Sequence, residues 1–381
     1  MKKTKVLIIT GTMNMGGIEN QLMHLLRNAD PKEFQIDFTS TLENPYYRDE
    51  IESLGGKCIF IPEMKKTNPF PYCRCLYRLM KDGQYDVVHS HELFHSGIVL
   101  FVAAMAGVKG RFAHAHNWQD GTGEGKRRSP VRTVYNFFMK KLIRRYSTHQ
   151  LACSTLAAQF LYGEDIINAP NYHLVFNSVD TAKFLDNYDK QESGEFCDGW
   201  INILNVARLT PVKNQLFLAD VASVFRSRGK MIRILCAGPG NEDYESTICN
   251  AIAEKDLDNF LKVLGPRSDI DTLMRKSSAF VLPSQYEGMP LVIIEAQASG
   301  LPCVCADTFS HEVDFGFDRI HWLSLGENAE VWADAIEAAI AKGRQDKESV
   351  TATVIEKRFD SKLFAQTLCE LYMTAIRMSY D

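Results

Sequence analysis

No apolar run in this 381-residue chain is long enough to cross a bilayer. The longest uncharged one, Gly97 to Val108, falls well short of the roughly 20 residues a spanning helix needs. The start, Met1-Lys2-Lys3-Thr4-Lys5, resembles the basic head of a secretory leader. The apolar stretch behind it ends at Ile9, too soon for a leader's core, so it reads as a first strand. An excess of one charge is missing too: 43 Lys and Arg against 47 Asp and Glu leave −4, which gives the chain as a whole no reason to coat nucleic acid. The ten cysteines have no even spacing, and Cys58, Cys153, Cys236, Cys303 and Cys305 sit inside apolar runs. That is the usage of a reducing compartment, not of a disulfide scaffold. Neither Cys73-Arg74-Cys75 nor Cys303-Val304-Cys305 has a second pair or a histidine set at zinc spacing, so no zinc is expected. There is no short repeat and no low-complexity tract, and 45% hydrophobic with 24% charged residues excludes disorder, collagen and coiled coil. A cytoplasmic protein, soluble or at most peripheral to a membrane, is expected.

What is present is a rhythm. Short β-branched runs alternate with longer amphipathic stretches, the pattern of βαβ units and parallel sheets. It occurs twice, with seven expected strands from Val6–Thr10 to His173–Phe176 and six from Ile201–Val206 to Ile320–Leu323. The reading is α/β, two Rossmann-like domains whose ligand crevices lie past the carboxyl ends of the strands and face each other across a cleft. The expected domains are 1–184 and 200–362. The polar, acidic stretch 185–199 reads as the linker between them.

Three segments carry chemistry. The first strand runs into Gly11, Gly16, Gly17 and Glu19 and then a helical pattern; this is either an anion cradle at a helix start or a tight turn without a ligand. These glycines do not fit the dinucleotide fingerprint, which disfavours a dehydrogenase. After strand Ile201–Val206 come Arg208 and Lys213, two cations placed to clamp a diphosphate, or else two solvated charges at a helix start. The third is Glu287-Gly288-Met289-Pro290-Leu291 followed by Glu295. Pro290 suits the first position of a helix ending near Gly300, with the Gly288 and Met289 amides at its positive end. The two carboxylates are either ligand contacts or capping charges.

Other candidates are weaker. His89, His91, His95, His114 and His116 resemble a metal cluster, but His114 and His116, two apart at a strand end, are expected to face opposite sides. His91 is a candidate for the acceptor side. Asp269-Ile270-Asp271, after Gly265, matches a metal-binding D-x-D but reads better as an N-cap. Asp314-Phe315-Gly316 lacks every other kinase element. The stretch 126–148 holds eight Lys and Arg and no Asp or Glu. On a helix, Val131, Val134, Tyr135, Phe138 and Leu142 would form one stripe, with Arg132, Lys140, Lys141 and Arg144 outside it, a face suited to anionic lipid.

Taken together, Gly16-Gly17-Ile18-Glu19, Val87-Val88-His89-Ser90-His91, Ala113-His114-Ala115-His116-Asn117, Ala152-Cys153-Ser154, Phe176-Asn177-Ser178-Val179-Asp180 with Phe184, the Arg208/Lys213 pair and Glu287-x7-Glu295 resemble a family-four retaining glycosyltransferase of the GT-B fold, close to bacterial capsule and exopolysaccharide transferases. Ala207, where the family has Gly, and Asn177-Ser178-Val179, where it reads Asn-Gly-Ile, depart from the pattern. The resemblance implies that Arg208 and Lys213 hold the nucleotide pyrophosphate, Glu287 lies at the donor sugar, Glu295 binds the ribose and His116 sits at the reacting sugar. The implied donor site comprises Gly16, Gly17, Arg208, Lys213, Gly265, Gly288, Met289, Pro290, Leu291 and Glu295. It also implies a nucleotide-sugar donor, a UDP-sugar above all, a lipid-linked saccharide acceptor, no cofactor or metal, no nucleic-acid partner, and a final helix, 363–381, returning to the first domain. A nucleotide-sugar 2-epimerase and a nucleotide-sugar-binding protein without turnover are the alternatives.

Overall fold

The computed structural model describes residues 2–64, 68–117, 129–186, 188–189 and 193–377. Contacts divide the chain into two units, Met1–Ser178 with Ser361–Asp381, and Val179–Asp360. In the first, β1 (Thr4–Ile9), β2 (Phe34–Ser40), β3 (Cys58–Phe60), β4 (Val87–Ser90), β5 (Gly110–Ala115), β6 (His149–Ala152) and β7 (Tyr172–Leu174) form one parallel sheet in the order β3-β2-β1-β4-β5-β6-β7. The order reverses between β1 and β4, which puts a crevice at their carboxyl ends. Alternation along each strand serves two cores. Val6 and Ile8 join the Gly17–Asn28 helix on one face, while Leu7 and Ile9 pack with Tyr72, Leu76 and Val99 on the other.

The second unit repeats the plan with β8 (Ile201–Val206), β9 (Ile232–Ala237), β10 (Leu261–Gly265), β11 (Ala279–Leu282), β12 (Cys303–Ala306) and β13 (Ile320–Leu323), all parallel in the order β10-β9-β8-β11-β12-β13. Its switch point lies between β8 and β11. Leu218, Phe225, Ile234 and Trp332 anchor the core on one face. Every expected strand is present, and most are largely apolar and buried on both faces, as a parallel sheet covered by helices requires.

The division between units differs from the expected one. It falls at Ser178/Val179 and Asp360/Ser361, before the expected 184/185 and 362/363. The acidic stretch read as the linker is tied to the second unit where it is described: Asp198 takes two bonds from Arg233 (2.8 and 3.0 Å), Glu195 pairs with Arg267 (3.1 Å), and Asn202 donates to the Phe196 carbonyl (2.8 Å). The two chain crossings lie side by side, with the Val179 N–H on the Phe359 carbonyl (2.7 Å).

Helix Ser361–Arg377 closes the first unit's core with Phe364, Ala365, Leu368, Tyr372 and Ala375 against the Gly17–Asn28 helix and β5. Burying Phe364 and Leu368 contributes about 1.5–3 kcal/mol each.

The basic helix, Pro130–Tyr146, turns a narrow face inward. Asn136, Met139 and Ile143 face inward, while Val131, Val134, Phe137 and Phe138 are 54–78% exposed. The neighbouring helix decides this. A Cβ at Gly97 would stand 2.7 Å from the Met139 carbonyl oxygen, so the two backbones touch there and fix which face turns in. Lys126, Arg127 and Arg128 lie outside the described residues.

Candidate functional site

In the first unit the site grows from β4 and β5. Their register pairs His89 with Phe112 and Ser90 with Ala113, and one further step sets His91 beside His114. Because alternate residues of a strand share a face, His89, His91, His114 and His116 all project to one side. This corrects the expectation that His114 and His116 face apart: β5 stays extended through Ala115, and the two rings stack with centroids 4.2 Å apart. His89 and His91 are likewise 4.2 Å apart. His91 Nδ1 and His116 Nε2 share a hydrogen bond of 2.8 Å, and at the inner end His89 Nδ1 meets the Tyr372 hydroxyl at 2.6 Å. Burial lowers the His116 pKa to about 4 and drives those of His89, His91 and His114 well below the ordinary histidine range. All four rings are therefore neutral at pH 7. His91, expected on the acceptor side, is here the partner of His116.

The glycine loop beside this face is already occupied by a carboxylate. Glu19, in the first turn of the Gly17–Asn28 helix, accepts from the Thr12 hydroxyl (3.0 Å) and lies where a Cβ on Gly16 would come within 2.3 Å of it. A side chain at Gly16 would displace this carboxylate. Glu92, which the sequence reading passed over, follows His91 and borders Gly11, and burial raises its pKa.

In the second unit the chain leaves β8 through Ala207 and Arg208, makes a short 3-10 turn at Pro211–Lys213, and enters the next helix through Asn214 in the left-handed region (φ 58°). Gly238, at φ 146°, lets the end of β9 press against this exit; a Cβ there would meet the Ala207 oxygen at 2.1 Å. Lys213 Nζ donates to Glu287 Oε1 at 2.5 Å, with the two side chains 17% and 12% exposed. The loops carrying them are tied by the Gln285 N–H on the Val212 carbonyl (2.8 Å), while Gln215 holds the Arg208 carbonyl (3.0 Å). Three of the predicted residues, Lys213, Glu287 and Arg208, are thereby gathered at the carboxyl end of β8.

Pro290 caps the helix Leu291–Ala298, one position before its expected place, with Gly288 and Met289 buried just ahead. Glu295 lies on this helix, and among the described residues its carboxyl has no hydrogen-bond partner. Burial is the main cause that lifts its pKa to about 7; Lys183 lowers it and Asp271 raises it further. Lys183, which the sequence reading passed over, and Asp271 of the D-x-D segment lie 3.7 Å apart. The D-x-D segment is spent on cations. Asp269 stands at the N-cap but grips Arg267 (2.7 and 2.8 Å) without capping, and Asp271 pairs with Arg275 (3.1 Å). Gly265 ends β10 at φ 65° with open space around it.

Chemically, the second unit offers cations and a carboxylate at a strand end, and the first a row of neutral imidazoles. The chain matches the family model described as Glycosyltransferase Family 4 over residues 15–183 and that described as Glycosyl transferases group 1 over residues 189–353. It is 34% identical over 381 residues to EpsF of Bacillus subtilis (strain 168), named as a glycosyltransferase, with 97% of this chain and 96% of that one covered. CapH of Staphylococcus aureus, named a capsular polysaccharide biosynthesis glycosyltransferase, is 26% identical over 373 residues, covering 97% and 99%. An Escherichia coli enzyme named UDP-Gal:alpha-D-GlcNAc-diphosphoundecaprenol alpha-1,3-galactosyltransferase is 29% identical over 238 residues, 61% of this chain and 60% of that one. Among solved structures, Anabaena HepE in complex with UDP and glucose superposes with a TM-score of 0.74 at 17% identity, covering 96% and 98%.

Proposed function

From the premise that the chain belongs to the family of group 1 and family 4 glycosyltransferases and has their GT-B fold, we propose that it moves a hexose from a UDP-sugar to a hydroxyl of a lipid-linked saccharide, with retention at the anomeric carbon, in surface polysaccharide synthesis. The observation that carries this reading is the Lys213–Glu287 pair beside Arg208 at the end of β8. Arg208 and Lys213 take the diphosphate, whose charge displaces Glu287 from Lys213 and frees that carboxylate for a sugar hydroxyl. The Gly288 and Met289 amides add positive potential at the helix start. Glu295 accepts from the ribose hydroxyls, and His116 serves the reacting sugar. In the step itself the bond from the anomeric carbon to the diphosphate breaks, the acceptor oxygen bonds to that carbon on the same face, and the acceptor proton passes to the departing diphosphate oxygen. The chain contributes positioning and cationic stabilisation of the leaving group. No divalent ion is required at the diphosphate. The UDP complex of HepE, the lipid-linked acceptor in the name of the E. coli relative and the capsular role in the name of CapH support this reading.

The acceptor's lipid places the reaction at a membrane face. Val131, Val134, Phe137 and Phe138 are exposed on a helix that also carries Lys141, Arg144 and Arg145 at its surface, a composition that inserts apolar side chains among anionic headgroups. We assign this helix as the contact with an anionic bilayer. The test of the whole reading is incubation of the purified protein with a panel of UDP-hexoses and lipid-linked saccharides, with the linkage of the product read by NMR. An α-linked product from an α-linked donor is expected. Transfer with inversion refutes the mechanism, and a free epimerised sugar nucleotide refutes the reaction class.

A further inference from the structure

We propose that His89, His91 and His114 of the first unit form a binding site for one divalent transition-metal ion of the zinc type. One ligand atom from each of the three lies within 4.8 Å of the other two. Each ring also has a buried nitrogen with no hydrogen-bond partner among the described residues: His89 Nε2, His91 Nε2 and both nitrogens of His114. Buried polar atoms are almost always satisfied. A neutral imidazole carries one lone-pair nitrogen and one N–H, so these four atoms amount to three lone pairs, one per ring, and one N–H on His114. Three unused lone pairs in a single cluster point to a ligand that consumes them, since a cluster serving only to pack would be more stable with apolar side chains.

The outer bonds favour the same conclusion. A ligating histidine normally donates its second ring N–H to a neighbour, which fixes the tautomer and aims the free lone pair. His89 Nδ1 lies 2.6 Å from the Tyr372 hydroxyl, and His91 Nδ1 lies 2.8 Å from His116 Nε2. With both Nδ1–H groups donating, the unpartnered Nε2 atoms of His89 and His91 carry lone pairs. Three imidazoles without a carboxylate suit Zn2+, Co2+, Ni2+ or Cu2+ and not Mg2+ or Ca2+, which take oxygen ligands. Bonds of about 2.0–2.1 Å set tetrahedral donors about 3.4 Å apart, so binding draws the rings inward by about 1 Å and leaves a fourth position for water.

The test uses the full chain, stripped with chelator and titrated with Co2+. The expected result is one Co2+ per chain with the intense visible absorption of a four-coordinate ion, its displacement by Zn2+, and a rise in melting temperature with Zn2+ but not with Mg2+. His91→Gln and His114→Gln should each lose at least about a hundredfold in Co2+ affinity, Tyr372→Phe about tenfold, and His311→Gln, a surface histidine, none. Absence of the visible band and of the melting shift in the wild-type chain overturns the proposal. So does a band that survives in both His91→Gln and His114→Gln. Should those variants fail to fold, X-ray absorption of the wild-type cobalt form decides, three imidazoles in the shell supporting the site and an all-oxygen shell refuting it. Because the readout is independent of sugar transfer, failure here leaves the proposed reaction standing, and failure of transfer leaves the metal site standing.

Discussion

The two units share one plan, a parallel sheet whose order reverses at a central strand, and furnish it with opposite chemistry. At the ends of β4 and β5 the first unit stacks neutral imidazoles. At the end of β8 the second unit holds formal charges in an ion pair. The contrast follows from what burial allows. A neutral ring can be buried with no counter-charge, whereas a buried lone cation or carboxylate is costly unless paired. Lys213 and Glu287 therefore hold each other, and the neutral histidines need no counter-charge. On the proposed reading, one unit grips an anion with its cations and the other meets its ligand through neutral ring nitrogens.

The largest effect that would sharpen this contrast is on stability. Leu368→Ala removes a fully buried side chain from the first unit alone and should destabilise that unit by about 2–5 kcal/mol. Hydrogen exchange should then show the β4–β5 amides losing protection while those of β8 and β9 keep theirs; equal loss in both would mean the units unfold as one.

Next comes binding. Arg208→Ala and Lys213→Ala should each weaken UDP by about ten- to a hundredfold, the loss of roughly 1.5–3 kcal/mol of charge-assisted contact. His116→Ala should leave UDP affinity unchanged and depress turnover. Glu287→Gln releases Lys213 and should likewise not weaken UDP, while turnover with the full donor falls. Calorimetry with UDP that found His116→Ala as damaging as Lys213→Ala would erase the distinction between gripping and presenting.

A third, smaller effect concerns pH. Burial lifts Glu295 to about 7, so the folded chain holds this proton more tightly than the unfolded chain, in which the carboxyl titrates near 4.5. Stability from this group is therefore greatest below about 4.5, falls as pH rises towards 7 and is flat above it. UDP binding should run the other way, weakening as pH drops below 7, because a protonated carboxyl is a poorer acceptor for ribose hydroxyls. Glu295→Gln should flatten both profiles, and unaltered slopes would assign them to another group.

The smallest effect is at the surface. Vesicles containing anionic lipid should sediment the protein at low salt and release it at high salt, each Lys or Arg contributing about 1 kcal/mol. Phe137→Ser with Phe138→Ser should reduce sedimentation, and Lys141→Gln with Arg144→Gln should remove most of its salt dependence. Failure of the wild-type chain to sediment at low salt would leave the Pro130–Tyr146 helix a solvated face.

The sheets were legible in the sequence, because strands buried on both faces are written mainly in apolar residues. Pairings across long separations were not. Nothing in the spacing of Lys213 and Glu287, 74 residues apart, announces their bond, which depends on β8 and β11 becoming neighbours. The histidine face needed only the rule that residues two apart share a side, together with the fact that β5 stays extended to its end. The buried face of the Pro130–Tyr146 helix could not be read from its own pattern, since Gly97 of another helix selects it. Glu92, Lys183 and Tyr372 carry no motif and gain significance only from what they adjoin.

The closing of the first core by the Ser361–Arg377 helix has a consequence for biosynthesis. A ribosome completes all seven strands of that sheet and must then translate Val179–Asp360 before the last helix emerges. At about 5–20 residues per second this is a wait of roughly 10–35 s. Throughout it, the apolar face that Phe364, Leu368 and Tyr372 will cover is open on the nascent chain. The domain begun first is thus the one finished last, and its early half is the natural client for a chaperone at the exit tunnel.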